Sequence, residues 1–205
     1  MGNLTINTIV NGKWKQNCYL LVNSDLSALL IDPGSDAKKI AGLILESKLN
    51  LMAILNTHAH YDHVGAVAKL QEEFKVPFYL NSLDGKLMRQ ANLYRIIFEG
   101  TEFIKIPKVD ISLGPDNKDL VIGSFKINTI FTPGHTEGGT SFLINNYLFV
   151  GDTLLQSGPG RTDLPGGDAK KLNESFVVLK ELDSNYLVYP GHGKPFLLKD
   201  SWLYA

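Results

Sequence analysis

The stretch Thr57-His58-Ala59-His60-Tyr61-Asp62-His63 carries four side chains of the types that bind metals in proteins. It follows the apolar run Leu51–Leu55, which predicts a buried strand. It precedes Gly65–Lys75, where apolar residues recur at the spacing of an amphipathic helix. The motif is therefore predicted to lie at a strand-to-helix turn, where a rigid scaffold fixes several side chains at once.

The spacing inside this motif favours two adjacent cations. In an extended segment, residues two positions apart point the same way, so His58 and His60 can share one metal. Asp62 and His63 fall where the chain turns into the helix. We expect them to face the same cavity from another angle, so that the four donor-type residues together suit two adjacent cations.

Three later segments each place one His or Asp just beyond a predicted strand, next to Gly or Pro. They are Thr132-Pro133-Gly134-His135-Thr136, Val150-Gly151-Asp152-Thr153 and Tyr189-Pro190-Gly191-His192-Gly193. The chain has five histidines, and all of them fall in this motif or in these segments. A single His is usually an ordinary core or surface residue, but five such coincidences are far less probable than a shared metal site.

The donor types indicate the metal and its chemistry. Imidazole and carboxylate without thiolate suit two Zn²⁺ ions, with Fe or Mn as alternatives. Asp152 can give one oxygen to each cation, and a water bridging them would become a hydroxide nucleophile near neutral pH. The sequence thus predicts a metal-dependent hydrolase in which Asp62 and Asp152 are the catalytic carboxylates.

Taken in order, the four signals resemble the metallo-β-lactamase superfamily, whose pattern is HxHxDH followed by single His, Asp and His. The resemblance runs from Asp32-Pro33-Gly34 to His192. It implies the metallo-β-lactamase fold and a division of the donors between two metals, with Asp152 shared. The first metal would take His58, His60 and His135, and the second Asp62, His63 and His192.

Within that superfamily, the segment from Gly151 to Asp168 resembles small glyoxalase II-like proteins, the hydroxyacylglutathione hydrolases and their short relatives. This resemblance implies hydrolysis of small thioesters. β-Lactamases of this fold usually carry Cys at the place of Asp152, so it does not imply antibiotic hydrolysis. Two alternatives stay open: a lactonase or esterase with the same ligands, and a persulfide dioxygenase-like oxidoreductase with one iron on His58, His135 and Asp152.

Three further residues have a predicted role around the site, each with an alternative explanation. Arg161 can bind an anionic substrate group, but it can equally pair with Asp163 in its own loop. Tyr61 is predicted to line the mouth of the site, although core packing would explain it equally well. Asp32 is predicted to orient a ligand histidine, with a simple turn residue as the alternative.

The composition limits the remaining choices. Twenty basic and twenty-one acidic residues give a net charge of −1, without the basic excess that a nucleic-acid-binding protein needs. No apolar run has the length of a membrane span, and no signal peptide is evident, so we expect a cytoplasmic protein that acts on a small molecule. Its one cysteine, Cys18, excludes an intrachain disulfide.

The apolar pattern predicts strands and helices that come twice in matching order, an α+β arrangement. Helices covering the outer faces of stacked sheets would give a four-layer αβ/βα sandwich, with residues 1–205 as a single domain. Four local predictions can be compared directly with the structure. Ser35 or Asp36 caps the first helix, one helix runs from Ser82 to about Phe98, residues 158–167 form a loop, and Asp168 caps the last helix.

Overall fold

Two six-stranded sheets form the centre of the protein in a computed structural model that describes residues 4–100, 103–115 and 119–204. In the first sheet the strands follow their order in the chain. They are β1 (Thr5–Asn11), β2 (Gln16–Val22), β3 (Ser27–Ile31), β4 (Asn50–Leu55), β5 (Phe78–Asn81) and β6 (Ile111–Leu113).

Strands β1 to β3 pair antiparallel, and β3 to β6 pair parallel. Parallel neighbours need a crossover, and helices provide each one. These helices are α1 (Ala37–Glu46), α2 (Tyr61–Val64), α3 (Val67–Phe74), α4 (Gly85–Arg89) and α5 (Ala91–Glu99).

The second sheet has the order β14-β13-β10-β9-β8-β7. Its strands are β7 (Asp119–Ile122), β8 (Phe125–Phe131), β9 (Thr140–Ile144), β10 (Tyr147–Gly151), β13 (Leu187–Pro190) and β14 (Phe196–Leu197). A small separate hairpin consists of β11 (Leu154–Leu155) and β12 (Gly158–Pro159). Helix α6 (Ala169–Lys180) connects this region to β13, which lies parallel to β10.

Alternating side chains of the buried strands separate the apolar core into layers. Leu20 and Leu30 face the cluster that contains α1 and α3, whereas their neighbours Leu21 and Leu29 face the second sheet. A third cluster packs α6 against the outer face of that second sheet. The layers therefore run helix, sheet, sheet, helix, which confirms the predicted four-layer αβ/βα sandwich.

The ends of the helices and strands differ in detail from the predicted ends. Asp168 accepts hydrogen bonds from the first turn of α6, as predicted. Asp36 precedes α1 in a left-handed conformation and forms no side-chain cap, so the predicted cap on α1 is wrong. The predicted loop at residues 158–167 begins with strand β12.

The prediction of one continuous helix from Ser82 to Phe98 is wrong. Asn81, rather than Ser82, caps a 3₁₀ turn at Ser82–Asp84, and the chain then forms α4 and α5 with a break at Gln90. Helix α5 contacts α2, which carries the last part of the donor motif. Among the described residues, no helix is long and apolar enough to cross a membrane.

Candidate metal centre

All the predicted donor side chains lie beyond the carboxyl-terminal ends of strands. The motif His58 to His63 follows β4 and runs into α2, so the first sheet supplies four donors. The second sheet supplies one donor after each of three strands: His135 after β8, Asp152 after β10 and His192 after β13. Stacking of the two sheets brings the two sets face to face.

Three histidines form the first group of donors. His58, His60 and His135 each direct one ring nitrogen into a common space, and these nitrogens lie within 4.8 Å of one another. Nδ1 of His60 is 2.9 Å from Nε2 of His135. Two ring nitrogens at this distance share either a proton or a cation.

Asp62, His63 and His192 form the second group, again with donor atoms within 4.8 Å of one another. Nε2 of His192 lies 3.4 Å from Oδ2 of Asp62. Asp152 lies between the two groups. Its Oδ2 is 3.6 Å from Nε2 of His135, and its Oδ1 is 3.6 Å from Nε2 of His63.

Unsatisfied buried atoms show that these residues fit a bound cation. Buried polar atoms in proteins nearly always have a partner. Within the described part of the chain, the buried atoms without a hydrogen-bond partner include three that belong to this cluster and face other donors: Nε2 of His58, Nε2 of His63 and Oδ1 of Asp152. A metal is the partner that several inward-facing lone pairs can share.

The opposite side of most donor rings is fixed by a hydrogen bond, which sets the nitrogen that faces the cavity. The contacts are His58 Nδ1 with Thr57 Oγ1 at 3.0 Å, His63 Nδ1 with Asp32 Oδ2 at 3.1 Å, His135 Nδ1 with the Arg161 carbonyl at 2.7 Å, and His192 Nδ1 with the Trp14 carbonyl at 3.0 Å. Asp32 thus lies against a donor histidine, where the sequence places it.

Asp32 can also be grouped with His58 and His63 as a set of possible metal donors. Its two oxygens, however, already accept hydrogen bonds from Thr57, at 2.7 Å from the backbone N–H and 2.6 Å from the hydroxyl. A carboxylate with both oxygens engaged is suited to hold a ring in place, so we assign it an orienting position.

Burial and neighbouring charges separate the pKa values of the histidines. Burial, together with the adjacent His135, lowers the pKa of His60 to about 3. Burial also lowers the pKa of His58 well below its usual value. Both rings are thus neutral at physiological pH, the form that binds metals. Burial acts the same way on His63, but the carboxylates of Asp62 and Asp152 outweigh it and raise its pKa to about 9.

Sequence reasoning missed Asp84, a buried carboxylate that joins the two halves of the centre. Its Oδ2 accepts hydrogen bonds from the Ala59 N–H and the Thr136 hydroxyl, both at 2.9 Å, and its Oδ1 accepts from the Gly138 N–H at 2.7 Å. Ala59 lies between two donor histidines, and Thr136 follows a third. Nothing in Ser82-Leu83-Asp84 distinguishes this residue from an ordinary helix start.

The role of the β1–β2 turn and of the start of β2 was missed as well. Asn17 donates its backbone N–H to the Gly191 carbonyl at 2.8 Å and its side-chain amide to the carbonyls of Pro190 and Gly193 at 3.0 and 2.9 Å. Together with the Trp14 carbonyl on His192, these bonds hold the last donor loop. They join residues more than 170 positions apart, so no local sequence signal could reveal them.

A cavity of about 360 Å³ opens above the donors. Tyr61 and Arg161, for which the sequence predicts contact with substrate, both line this cavity. The Tyr61 hydroxyl accepts a hydrogen bond from Trp14 Nε1 at 2.6 Å. The Arg161 side chain forms two 2.8 Å hydrogen bonds with the Asp163 carboxylate, which is the pairing predicted as its alternative.

Comparison with known proteins agrees with this geometry. The sequence model of the metallo-β-lactamase superfamily matches residues 11–192. The chain belongs to that superfamily. Among curated relatives, a probable metallo-hydrolase, YqgX, from Bacillus subtilis is 37% identical over 89% of this chain and 87% of its own length. A hydroxyacylglutathione hydrolase, GloC, from Haemophilus influenzae is 32% identical over 88% and 86%.

Solved structures give the same family. A crystal structure titled BLEG-1 B3 metallo-β-lactamase has a TM-score of 0.89 and 33% identity, covering 96% of this chain and 95% of the other. TTHA1623, crystallised in a di-iron-bound form, has a TM-score of 0.85 and 35% identity, with 94% of each chain covered. Superfamily membership and the His and Asp clusters together indicate a divalent metal and a hydrolase-like protein.

Proposed function

We propose that this chain is a dinuclear metal-dependent hydrolase of small thioesters. The observation that carries the proposal is the position of Asp152, whose carboxylate lies within 3.6 Å of histidines from both donor groups. One of its oxygens is buried without a hydrogen-bond partner. A carboxylate placed in this way is suited to bridge two cations, each with three further donors of its own.

Two cations held there would polarise an acyl carbonyl and lower the pKa of a water shared between them. Zinc is the proposed metal because all the donors are imidazoles and carboxylates. Iron is the first alternative, since the similar protein TTHA1623 was crystallised with two irons; manganese suits the same ligands.

The protein's own groups prepare the site for this chemistry. Although burial opposes it, the neighbouring His63 and His192 hold the pKa of Asp62 well below its usual range, so this carboxylate is ionised. The ionised carboxylates of Asp62 and Asp152 thereby supply negative charge that would stabilise bound cations. We propose these two residues as the catalytic carboxylates, positioned beneath the scissile bond.

The choice of a thioester rests on family likeness and on size. A relative at 32% identity carries the name hydroxyacylglutathione hydrolase. The cavity, at about 360 Å³, lies near the lower end of the usual range for small-molecule sites. It therefore suits a small acyl compound better than a polymer.

The test combines metal content with turnover of S-lactoylglutathione and other thioesters by the purified protein. We expect about two metal ions per chain and measurable release of free thiol. His60→Ala and Asp152→Ala should each lose metal and reduce kcat/KM by at least about 1,000-fold, in the range seen for directly acting groups. Asp200→Ala, which removes an exposed carboxylate, serves as the control and should match the wild type.

Several results would contradict the proposal. Full activity and full metal content in either donor variant would exclude the assigned centre. One iron per chain with oxygen uptake would favour the persulfide dioxygenase alternative. Cleavage of lactones without any thioester turnover would favour the lactonase alternative.

A second candidate function, β-lactam hydrolysis, is favoured by the structural likeness to a protein titled as a B3 metallo-β-lactamase. Opening a β-lactam ring also begins with attack on an activated acyl carbonyl, so the same cluster of metal donors could act on it. A chromogenic cephalosporin assayed beside the thioesters distinguishes the two. Faster turnover of the cephalosporin than of every thioester would replace the primary proposal.

A further inference from the structure

The cavity above the donors has an unusually aromatic side. Trp14 from the β1–β2 turn, Tyr61 from α2, and Tyr94 and Phe98 from α5 all line it. We call these four residues the aromatic wall. The wall begins directly beside the donors, because Tyr61 stands between His60 and Asp62 in the chain.

Contacts connect three members of the aromatic wall: Trp14, Tyr61 and Phe98. The Trp14 indole donates to the Tyr61 hydroxyl at 2.6 Å, and the Tyr61 and Phe98 rings lie nearly parallel, 13° apart, with centroids 6.4 Å apart. Lys13 Nζ donates to the Phe98 carbonyl at 3.3 Å, which ties the β1–β2 turn to the end of α5. The β1–β2 turn and the end of α5 are thus joined beside the cavity.

Part of this wall is left open. Trp14 is 47% exposed and Phe98 39% exposed, although both are large and apolar and both border a cavity. Because both residues border the same cavity, their exposed apolar surface is available to an apolar group that enters it. Since the surface faces the donors, the partner it fits is the substrate itself.

Apart from the donors, the rest of the cavity lining offers little to a charged substrate. It includes Leu155, Pro159, Leu164 and Pro165. Arg161 is the one lysine or arginine among the described residues that line the cavity, and its guanidinium is already bonded twice to Asp163. A peptide thiol such as glutathione, which carries two carboxylates, would therefore have to compete with Asp163 for Arg161 to gain a cationic partner of this type from the described lining.

We propose that the substrates are thioesters of a bulky apolar acyl group, aryl or branched, on an uncharged thiol, with the acyl group against the aromatic wall. This inference rests on the proposed function, because it assumes that the cluster cleaves thioesters. In the reaction, water adds to the acyl carbon, a C–O bond forms, and the C–S bond breaks. The products are the carboxylate, the free thiol and one proton.

The experiment uses the metal-loaded enzyme and four thioesters, pairing lactoyl or phenylacetyl acyl groups with glutathione or N-acetylcysteamine. Each kcat/KM is divided by the rate of hydroxide-catalysed hydrolysis of the same compound, which removes differences in intrinsic reactivity. On either thiol, phenylacetyl should exceed lactoyl by at least about tenfold, since apolar pockets discriminate by such factors. With either acyl group, N-acetylcysteamine should be at least as good as glutathione.

Two variants test whether the aromatic wall is responsible. Phe98→Ala should reduce the phenylacetyl-to-lactoyl ratio about fivefold or more while the metal content stays unchanged, because the ring contacts no donor. Phe103→Ala is the matched control: this phenylalanine is 72% exposed and is absent from the described lining of the cavity. It should leave the ratio as it is in the wild type.

The failures of the two proposals are distinguishable. If none of the four thioesters is cleaved, the proposed function is wrong and the substrate inference falls with it. If all are cleaved but lactoyl or glutathione is preferred, the proposed function holds and only the substrate inference is overturned. An unchanged ratio in Phe98→Ala also overturns the role of the aromatic wall.

Discussion

The donor cluster at the bottom of the cavity, which we call the base of the cavity, and the aromatic wall are built by different means. At the base, His63, His135 and His192 each direct one ring nitrogen toward the cluster while the other is hydrogen-bonded. In the wall, Trp14 and Phe98 are partly exposed and are held by a single hydrogen bond or by ring contact. The donor rings are therefore held from two sides, whereas the rings of the aromatic wall are held by fewer contacts.

The strongest test of this difference places a methyl group in the base. A Cβ on Gly191 would lie 2.0 Å from Oδ1 of Asp152 and 2.8 Å from Cε1 of His63. We expect Gly191→Ala to displace both donors, to lower the metal content and to reduce kcat/KM by at least about 100-fold. Gly114→Ala is the control, because its Cβ would meet nothing within 4 Å. Metal analysis and kinetics together measure the effect, and a fully loaded Gly191→Ala enzyme would contradict it.

Asp84 tests whether the hydrogen bonds behind the base matter for the metal. The Asp84 carboxylate accepts hydrogen bonds from Ala59, Thr136 and Gly138. In Asp84→Asn, the side-chain NH₂ group would face at least one of these donors, and that hydrogen bond would be lost. We expect metal affinity to weaken by about 10- to 100-fold, as for other groups that orient ligands. Titration with a chelator of known affinity measures this directly.

The matched control is Asp25→Asn. Asp25 likewise accepts hydrogen bonds from a backbone N–H and a hydroxyl, both of Ser27, but it lies in the turn between β2 and β3. The Asp25→Asn variant should change the melting temperature of the protein without changing its metal affinity. Equal metal affinities in the two variants would show that Asp84 has only a structural role.

Tyr61 belongs to both regions, since its backbone is part of the donor motif and its ring is part of the aromatic wall. Tyr61→Phe removes the acceptor of the Trp14 indole N–H, a contact worth about 1 kcal/mol. We expect an approximately threefold to fivefold rise in KM for an aryl thioester, with metal content unchanged. Tyr204→Phe, outside the cavity lining, is the control. Loss of metal in Tyr61→Phe would mean that the wall and the base are not separate.

The smallest effect is expected at Arg161. Its guanidinium pairs with Asp163 at the surface, and exposed pairs of this kind contribute about 0 to 1 kcal/mol. Arg161 contacts the donor cluster through its main-chain carbonyl, which is hydrogen-bonded to His135 Nδ1. Arg161→Ala preserves this contact because it leaves the main chain unchanged. We expect kcat/KM to change by no more than about twofold. A loss above about tenfold, confined to anionic substrates, would instead support the substrate-binding role that the sequence suggests.

The sequence predicted the sheet sandwich well because its cause is local. Alternation along β2 and β3 and helical spacing in α3 are properties of short segments, and each segment has one way to bury its apolar side. The break at Gln90 was missed for the complementary reason: both α4 and α5 have good helical patterns, and only their packing separates them.

The amino-acid sequence by itself determined the donor types, their order along the chain and their place after strand ends, since these follow from residue identity and strand pattern. Only the tertiary structure decided which ring nitrogens face inward, that Asp84 and Asn17 tie distant loops together, and that an aromatic wall stands beside the donors. Those features depend on contacts between segments far apart in the chain, and a hydrogen bond between two loops leaves no periodic or compositional trace in either one.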